Sequence, residues 1–306
     1  MEKANQSKTH YVAVPQIQYV YELVNWVNSS RHKKLNFRVT PGKLLTIDFK
    51  KMKNIKPYHI TPLACVIHEY LQNGYKIRLK NQSDRVKQYM DSFNFNQFCQ
   101  KDIGANNFQT PKYADTFPLW RIEQNASSIY PHRVQTYFEQ NQFHGKDLFE
   151  LGNSLGELMN NIFDHSNCKI PGFTFTQYDK KKEIITSVCD FGVGIPNKIN
   201  KYLKGNGLET LSPIECINKA IENKFSTKST PRNKGLGLNT VLSSVAELKG
   251  KTLIVSGKAL YVNLPNGEQK TEELQMSFPG CLIVIYLNTD NLRLKEEELN
   301  EELHLI

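Results

Sequence analysis

The sequence predicts an α/β protein, and three observations carry that prediction. Apolar residues Leu148, Leu151, Leu155, Leu158 and Ile162 fall on one stripe of a helix over 146–165. Three short runs after it, Ile184-Ile-Thr-Ser-Val-Cys-Asp190, Thr252-Leu-Ile-Val-Ser256 and Leu282-Ile-Val-Ile-Tyr-Leu287, read as strands from their β-branched content. Upstream, strand and helix patterns alternate with short connections, as in a small α/β unit of its own.

The upstream elements follow in order. Residues 35–40 and 44–49 read as two strands across a Pro41-Gly42 turn. Thr61 to Gly74 reads as a helix, with Thr61 as N-cap, Pro62 at the first helical position and Gly74 just past the end. Tyr75 to Leu79 is a further strand, and Val86 to Met90 begins another helix. Tyr89, Phe93, Phe95 and Phe98 recur at helical spacing, which favours core packing over a platform for stacking bases. Between Gly257 and Met276 the polar pattern reads as a hairpin insertion.

A length of 306 residues suits two domains, and a hydrophobic content of 39% builds a core. No apolar run is long enough to span a membrane, and the polar N-terminus does not resemble a signal peptide. The six cysteines contain no Cys-x-x-Cys and read as buried free thiols of a reducing compartment, so a cytoplasmic location is expected. The net charge of +9 includes Lys33-Lys34, Lys50-Lys51 and Lys180-Lys181-Lys182. Nucleic acid is one reading of that charge. A soluble basic surface plus a phosphate site is the favoured one. The final residues, 291–306, form an acidic tail around Glu296-Glu-Glu-Leu-Asn-Glu-Glu-Leu303.

Three motifs carry chemistry. On the 146–165 helix, Glu157 and Asn161 are one turn apart on one face, within Glu157-Leu-Met-Asn-Asn161-Ile-Phe-Asp164-His165. An Asn oxygen is a hard ligand suited to Mg²⁺, and a Glu one turn away can act as a general base. A solvated Glu and Asn on an amphipathic helix would look the same in isolation. Next, the 184–190 strand runs into Phe191-Gly192-Val193-Gly194, where Asp190 can accept from an exocyclic amine and the glycines allow close approach. A plain turn is the alternative there. Last, a basic, hydroxyl-rich loop with Thr227, Lys228, Arg232 and Lys234 leads through Gly235-Leu236-Gly237-Leu238 into a helix, whose N-terminus offers free N–H groups to phosphates. No Lys-Ser/Thr follows these glycines, so they are not a P-loop.

Together and in this order, the three boxes resemble those of the GHKL ATPase superfamily, which includes gyrase, heat-shock chaperone ATPases, histidine kinases and MutL. The resemblance implies a two-layer α+β sandwich at 146–290, with a mixed sheet covered by helices on one face and an ATP lid at about 195–234. It implies ATP and Mg²⁺ as ligands, with Asn161 holding the metal and Glu157 as the base. Asp190, Gly192 and Gly194 would form the adenine side. Gly235, Leu236, Gly237 and Leu238 would hold phosphates beside Thr227, Lys228 and Lys234. Asp164 resembles the gyrase type of the first box and His165 the anti-sigma kinase type. The family's last strand often begins Gly-Thr, whereas this chain has Gly280-Cys281. Residues 1–115 resemble a degenerate STAS domain, in which Thr61 falls near the phosphorylated serine of anti-sigma antagonists, although helix capping is its favoured role. Residues 116–145 are expected to be a linker or connecting helix. His132 and His144 read as surface residues outside any phosphoacceptor motif, which argues against a two-component histidine kinase.

The expected function is therefore Mg-ATP binding and hydrolysis, in which lid closure controls association with a protein partner or a second copy of the chain. A serine/threonine kinase of the anti-sigma type is the first alternative. A nucleotide-gated switch without turnover is the second. No membrane partner is expected.

Overall fold

The computed structural model describes residues 9–31, 43–100, 115–123, 126–165, 171–222 and 237–295, with the side chains at 163–165 left out. It is a mixed α/β structure. The chain opens with β1 (Thr9–Ala13), α1 (Val20–Ser30), β2 (Leu44–Asp48), α2 (Pro57–Gln72) and β3 (Lys76–Lys80). These strands form a parallel sheet in the order β1-β2-β3. Both edges of β2 are thus taken by β1 and β3, and the expected hairpin pairing of 44–49 with the segment before Pro41 is not the one formed. Residues 35–40 themselves lie outside the described residues.

Helix α2 begins five residues before the expected start, with Pro57 at its first position and Lys56 as N-cap. Both Pro57 and Pro62 suit a helix start, and burial of Ile60 on the first turn decides for Pro57. The ring nitrogen Nδ1 of His59 accepts from the Lys56 N–H at 2.9 Å and satisfies the helix end. Thr61 is consequently interior and wholly buried, neither a cap nor a surface hydroxyl. The helix stops where expected, before Gly74. Almost all of α2 from Pro57 to Tyr70 is buried, the pattern of a helix between two layers.

Short helices α3 (Asp84–Ser92) and α4 (Phe95–Gln100) follow. Phe93, Phe95 and Phe98 are buried, and Phe93 and Phe98 meet Phe175 and Phe173 of the larger sheet, so these aromatics are core as expected.

The larger sheet contains β4 (Thr116–Arg121), β5 (Phe173–Asp179), β6 (Glu183–Asp190), β7 (Lys251–Asn263) and β8 (Gln269–Asn288), in the order β4-β5-β6-β8-β7. Between β4 and β5 run α5 (Ala126–Asn141) and α6 (Phe149–His165); between β6 and β7 run α7 (Ile195–Gly205), α8 (Pro213–Ile221) and α9 (Gly237–Glu247). The stretch 116–145, expected to be a linker, supplies an edge strand of this sheet and a helix packed on α6. Every neighbouring pair of strands is antiparallel, so the expected mixed sheet is corrected to an antiparallel one. Connectivity accounts for two of these pairs: β5–β6 and β7–β8 are hairpins, and a hairpin can only join antiparallel strands.

The expected single helical face is also corrected, because both faces of this sheet are covered. On β8, Cys281, Ile283, Ile285 and Leu287 point into the core under α5, α6 and α9, while Leu282 and Val284 point into the core shared with α1, α2 and the parallel sheet. Ile184 and Val188 against Ile185 and Cys189 divide β6 in the same way. The layers are therefore small sheet, α1 and α2, large sheet, then α5, α6 and α9. Lys56 pairs with Asp179 across the layers, and Thr61 Oγ1 meets Ser187 Oγ of β6 at 2.6 Å. Among the described residues no helix is long and apolar enough to cross a membrane.

Candidate functional site

Helix α6 places its predicted apolar stripe as expected, with Leu148, Leu151, Leu155, Leu158 and Ile162 all buried. Glu157 and Asn161 are left half-buried on successive turns. Gly152 and Gly156 let α5 approach closely: a Cβ at Gly152 would sit 2.9 Å from Gln135 Oε1, and one at Gly156 3.6 Å from the Ser127 carbonyl. Beside this crossing lies a groove of about 300 Å³, lined by His132, Phe149, Asn153, Glu157 and Asn160 among others. Glu157 thus faces open space from which a water or hydroxyl can reach it. His132, read from sequence as an ordinary surface residue, lines the same groove.

Asn161 faces the start of α9. A Cβ at Gly237 would lie 3.0 Å from Asn161 Nδ2 and 3.1 Å from Oδ1. Only glycine leaves the Asn161 amide clear where the free N–H groups of α9 begin. The first and third sequence boxes are therefore brought into contact. Leu238 follows on the same first turn, half-buried against the core. Thr227, Lys228, Lys234, Gly235 and Leu236 lie outside the described residues, as do the side chains of Asp164 and His165.

The second box is built at the end of β6. Asp190 is 3% exposed, and its carboxylate accepts from the Gly192 N–H at 2.7 Å and from the Cys281 N–H. Burial pushes its pKa up from 3.8 to about 7, against the pull of those two N–H groups. The turn that follows is braced from β8. Gly194 has φ +73° and Gly280 φ +87°, and a Cβ at Gly280 would come 2.2 Å from the Asp190 carbonyl. Ser256 Oγ donates to the Gly280 carbonyl at 2.7 Å and accepts from the Ile195 N–H at 2.9 Å, which fixes the start of α7. Ser256 was not singled out from sequence as a site residue, and Gly280 was noted only as the residue before Cys281 where the family's last strand often begins Gly-Thr. Cys281 contributes its backbone N–H, and its thiol is pushed up by burial and stays neutral.

The two halves share one end of the sheet. Gly172 lies between them: its Cβ would be 2.9 Å from Ile162 Cγ2 and 3.0 Å from the Cys189 carbonyl, the neighbours of Asn161 and Asp190. Within the expected lid, 195–234, α8 begins at Pro213, capped by Ser212 and Glu215. Helix α7 was not predicted; Ile199 and Leu203 pack against Cys216 of α8, and the pair leans on β7. The expected hairpin at 257–276 is the extension of β7 and β8 that supports them. Asn239 Nδ2 of α9 donates to the Ile221 carbonyl at 2.9 Å and ties the end of α8 to the site.

The arrangement offers a buried acceptor at one end, a half-buried amide beside a helix N-terminus at the other, and, one turn from that amide, a half-buried carboxylate facing the α5 groove. No protein-family model and no curated protein matches the chain.

Proposed function

We propose that the chain binds Mg-ATP in a GHKL-type site between α6, the Asp190–Gly194 turn and the start of α9, and hydrolyses it, with an N-terminal STAS-like unit packed on the other face of the same sheet. The observation that carries this reading is the contact of Asn161 with Gly237 at the same sheet end as the buried Asp190 turn. Asp190 accepts a hydrogen bond from the exocyclic amine of adenine. Gly237 and the first N–H groups of α9 face the phosphates. The Asn161 amide, kept clear by Gly237, would hold Mg²⁺, which would supply positive charge to balance that of the phosphates. Glu157 takes the proton of the attacking water.

The kinase alternative loses its internal acceptor. Thr61 is wholly buried against Ser187 and cannot reach a phosphoryl group from within the fold. A kinase acting on a separate partner would keep Glu157 in the same role.

Incubation with γ-labelled ATP and Mg²⁺ tests the reaction. Free labelled phosphate, lost in Glu157→Ala, is the expected result. Label on protein instead of phosphate would replace hydrolysis with kinase transfer, and bound but unreacted ATP would leave only the switch.

A further inference from the structure

We infer that Arg31 and Glu69 are positioning residues for the Asp190–Gly194 turn, so that the N-terminal layer sets how tightly the amine-bearing end of the ligand is held. The affinity half of this inference rests on the nucleotide reading above; the positioning half does not.

Arg31 is the C-cap of α1, and its backbone N–H donates to the Val27 carbonyl at 3.1 Å. Its Nε and Nη2 donate to Glu69 Oε1 at 2.8 and 2.5 Å. Glu69 sits on α2 and is wholly buried, while Arg31 keeps 28% of its side chain exposed. The guanidinium carbon lies 4.7 Å from the centre of the Phe191 ring. Phe191 is the residue between Asp190 and Gly192, and its ring also meets Phe278 edge-on at 6.1 Å.

Two further contacts from the same helices reach the same place. Asn28 Nδ2 of α1 donates to the Ser277 carbonyl at 2.9 Å, three residues before the Gly280 that braces the turn. Cys65 Sγ of α2 lies 3.6 Å from the Cys189 carbonyl, just before Asp190. Helices α1 and α2 therefore hold both segments from which the turn is made.

A buried ion pair contributes little net stability compared with apolar residues of the same shape. The function of this one lies in what the guanidinium covers. Its carbon sits over the Phe191 ring while Nε and Nη2 are fixed by Glu69, and a lysine ammonium lacks the planar fork that makes both contacts at once. A shift of α1 against α2 slides the guanidinium across Phe191 and moves the backbone that carries Asp190. Any partner that moves α1 then changes ligand affinity, and the ligand changes the affinity of that partner by the same factor.

The test uses the full chain with two variants. Arg31→Lys keeps the charge opposite Glu69 and removes the flat face. Arg31→Met with Glu69→Gln removes both charges together, so that no carboxylate is left buried alone. In nucleotide-free protein, amide exchange across 190–195 should rise in both variants while exchange within α9 stays as in wild type. Unchanged exchange at 190–195 would overturn the positioning role. Calorimetry should show Mg-ATP binding weakened about tenfold or less by Arg31→Lys, with the preference for ATP over GTP reduced and the melting temperature kept. Weakened binding with an unchanged ATP-to-GTP ratio, or a fall in melting temperature that accounts for all of the change, would make the pair merely structural. Wild-type protein that binds no Mg-ATP would overturn the nucleotide reading and the affinity half, with the exchange result still deciding the positioning half.

Discussion

The two faces of the antiparallel sheet are built from similar apolar residues and are used differently. On the α2 side the described helix is buried almost throughout from Pro57 to Tyr70, and Thr61 and Ser187 bond to each other inside the layer. On the α6 side, Gly152 and Gly156 let α5 close in beside an open groove, Gly237 leaves the Asn161 amide clear, and Glu157 and Asn161 stay half-exposed. The sealed face contributes cohesion. The open face gives up packing for access, which is where chemistry needs solvent and ligand. Asp190 stands at the boundary, buried by both faces and facing the turn.

That contrast can be broken by mutation, and the largest effect belongs to the sealed face. Thr61→Glu places an unpaired carboxylate in a dry layer and should destabilise the fold by more than about 4 kcal/mol in denaturant titration. A loss below about 1 kcal/mol would show that the α2 face is not sealed. On the open face, Glu157→Ala should leave stability within about 0.5 kcal/mol of wild type and lower ATP turnover by about 10² to 10⁴. Steady-state phosphate release and a melting curve on the same sample separate the two. Gly237→Ala is intermediate: its Cβ meets the Asn161 amide at 3.0 Å, so nucleotide affinity should fall about tenfold with a small change in melting temperature.

The smallest effect is one of pH at the boundary. In the free protein Asp190 titrates at about 7, held up by burial. An amine donating to it favours the carboxylate, so binding lowers that value and releases a proton. Affinity should therefore rise with pH up to about 7 and level off above it, by up to about tenfold per pH unit below that point. Calorimetry in buffers of different ionisation enthalpy reads the released proton; a flat profile would mean the ligand does not engage this carboxyl.

The sequence made some of this legible and hid the rest for identifiable reasons. The α6 stripe and the strands at 184–190, 252–256 and 282–287 were visible because burial on one or both faces leaves a clear pattern. Strand β1 was not: as an edge strand with Tyr11 exposed it has little apolar alternation. Strand β4 carries Pro118 beside a register shift, and proline argues against a strand except at an edge, where β4 lies. The start of α2 was misplaced because two prolines competed for one position, and only tertiary burial of Ile60 resolves them. The site was legible where chemistry fixes residue type, at Asn161, Asp190, Gly194 and Gly237. Ser256, Arg31 and Glu69 act through long-range contacts, and their spacing in the chain carries no pattern.

The most direct test of the central claim is calorimetric titration of Mg-ATP into wild type and Asp190→Asn at pH 8. The account predicts one site per chain in wild type and loss of binding in the variant, with the melting temperature of the free proteins similar. Wild-type affinity in Asp190→Asn would contradict it, because the buried acceptor would then have no part in holding the ligand.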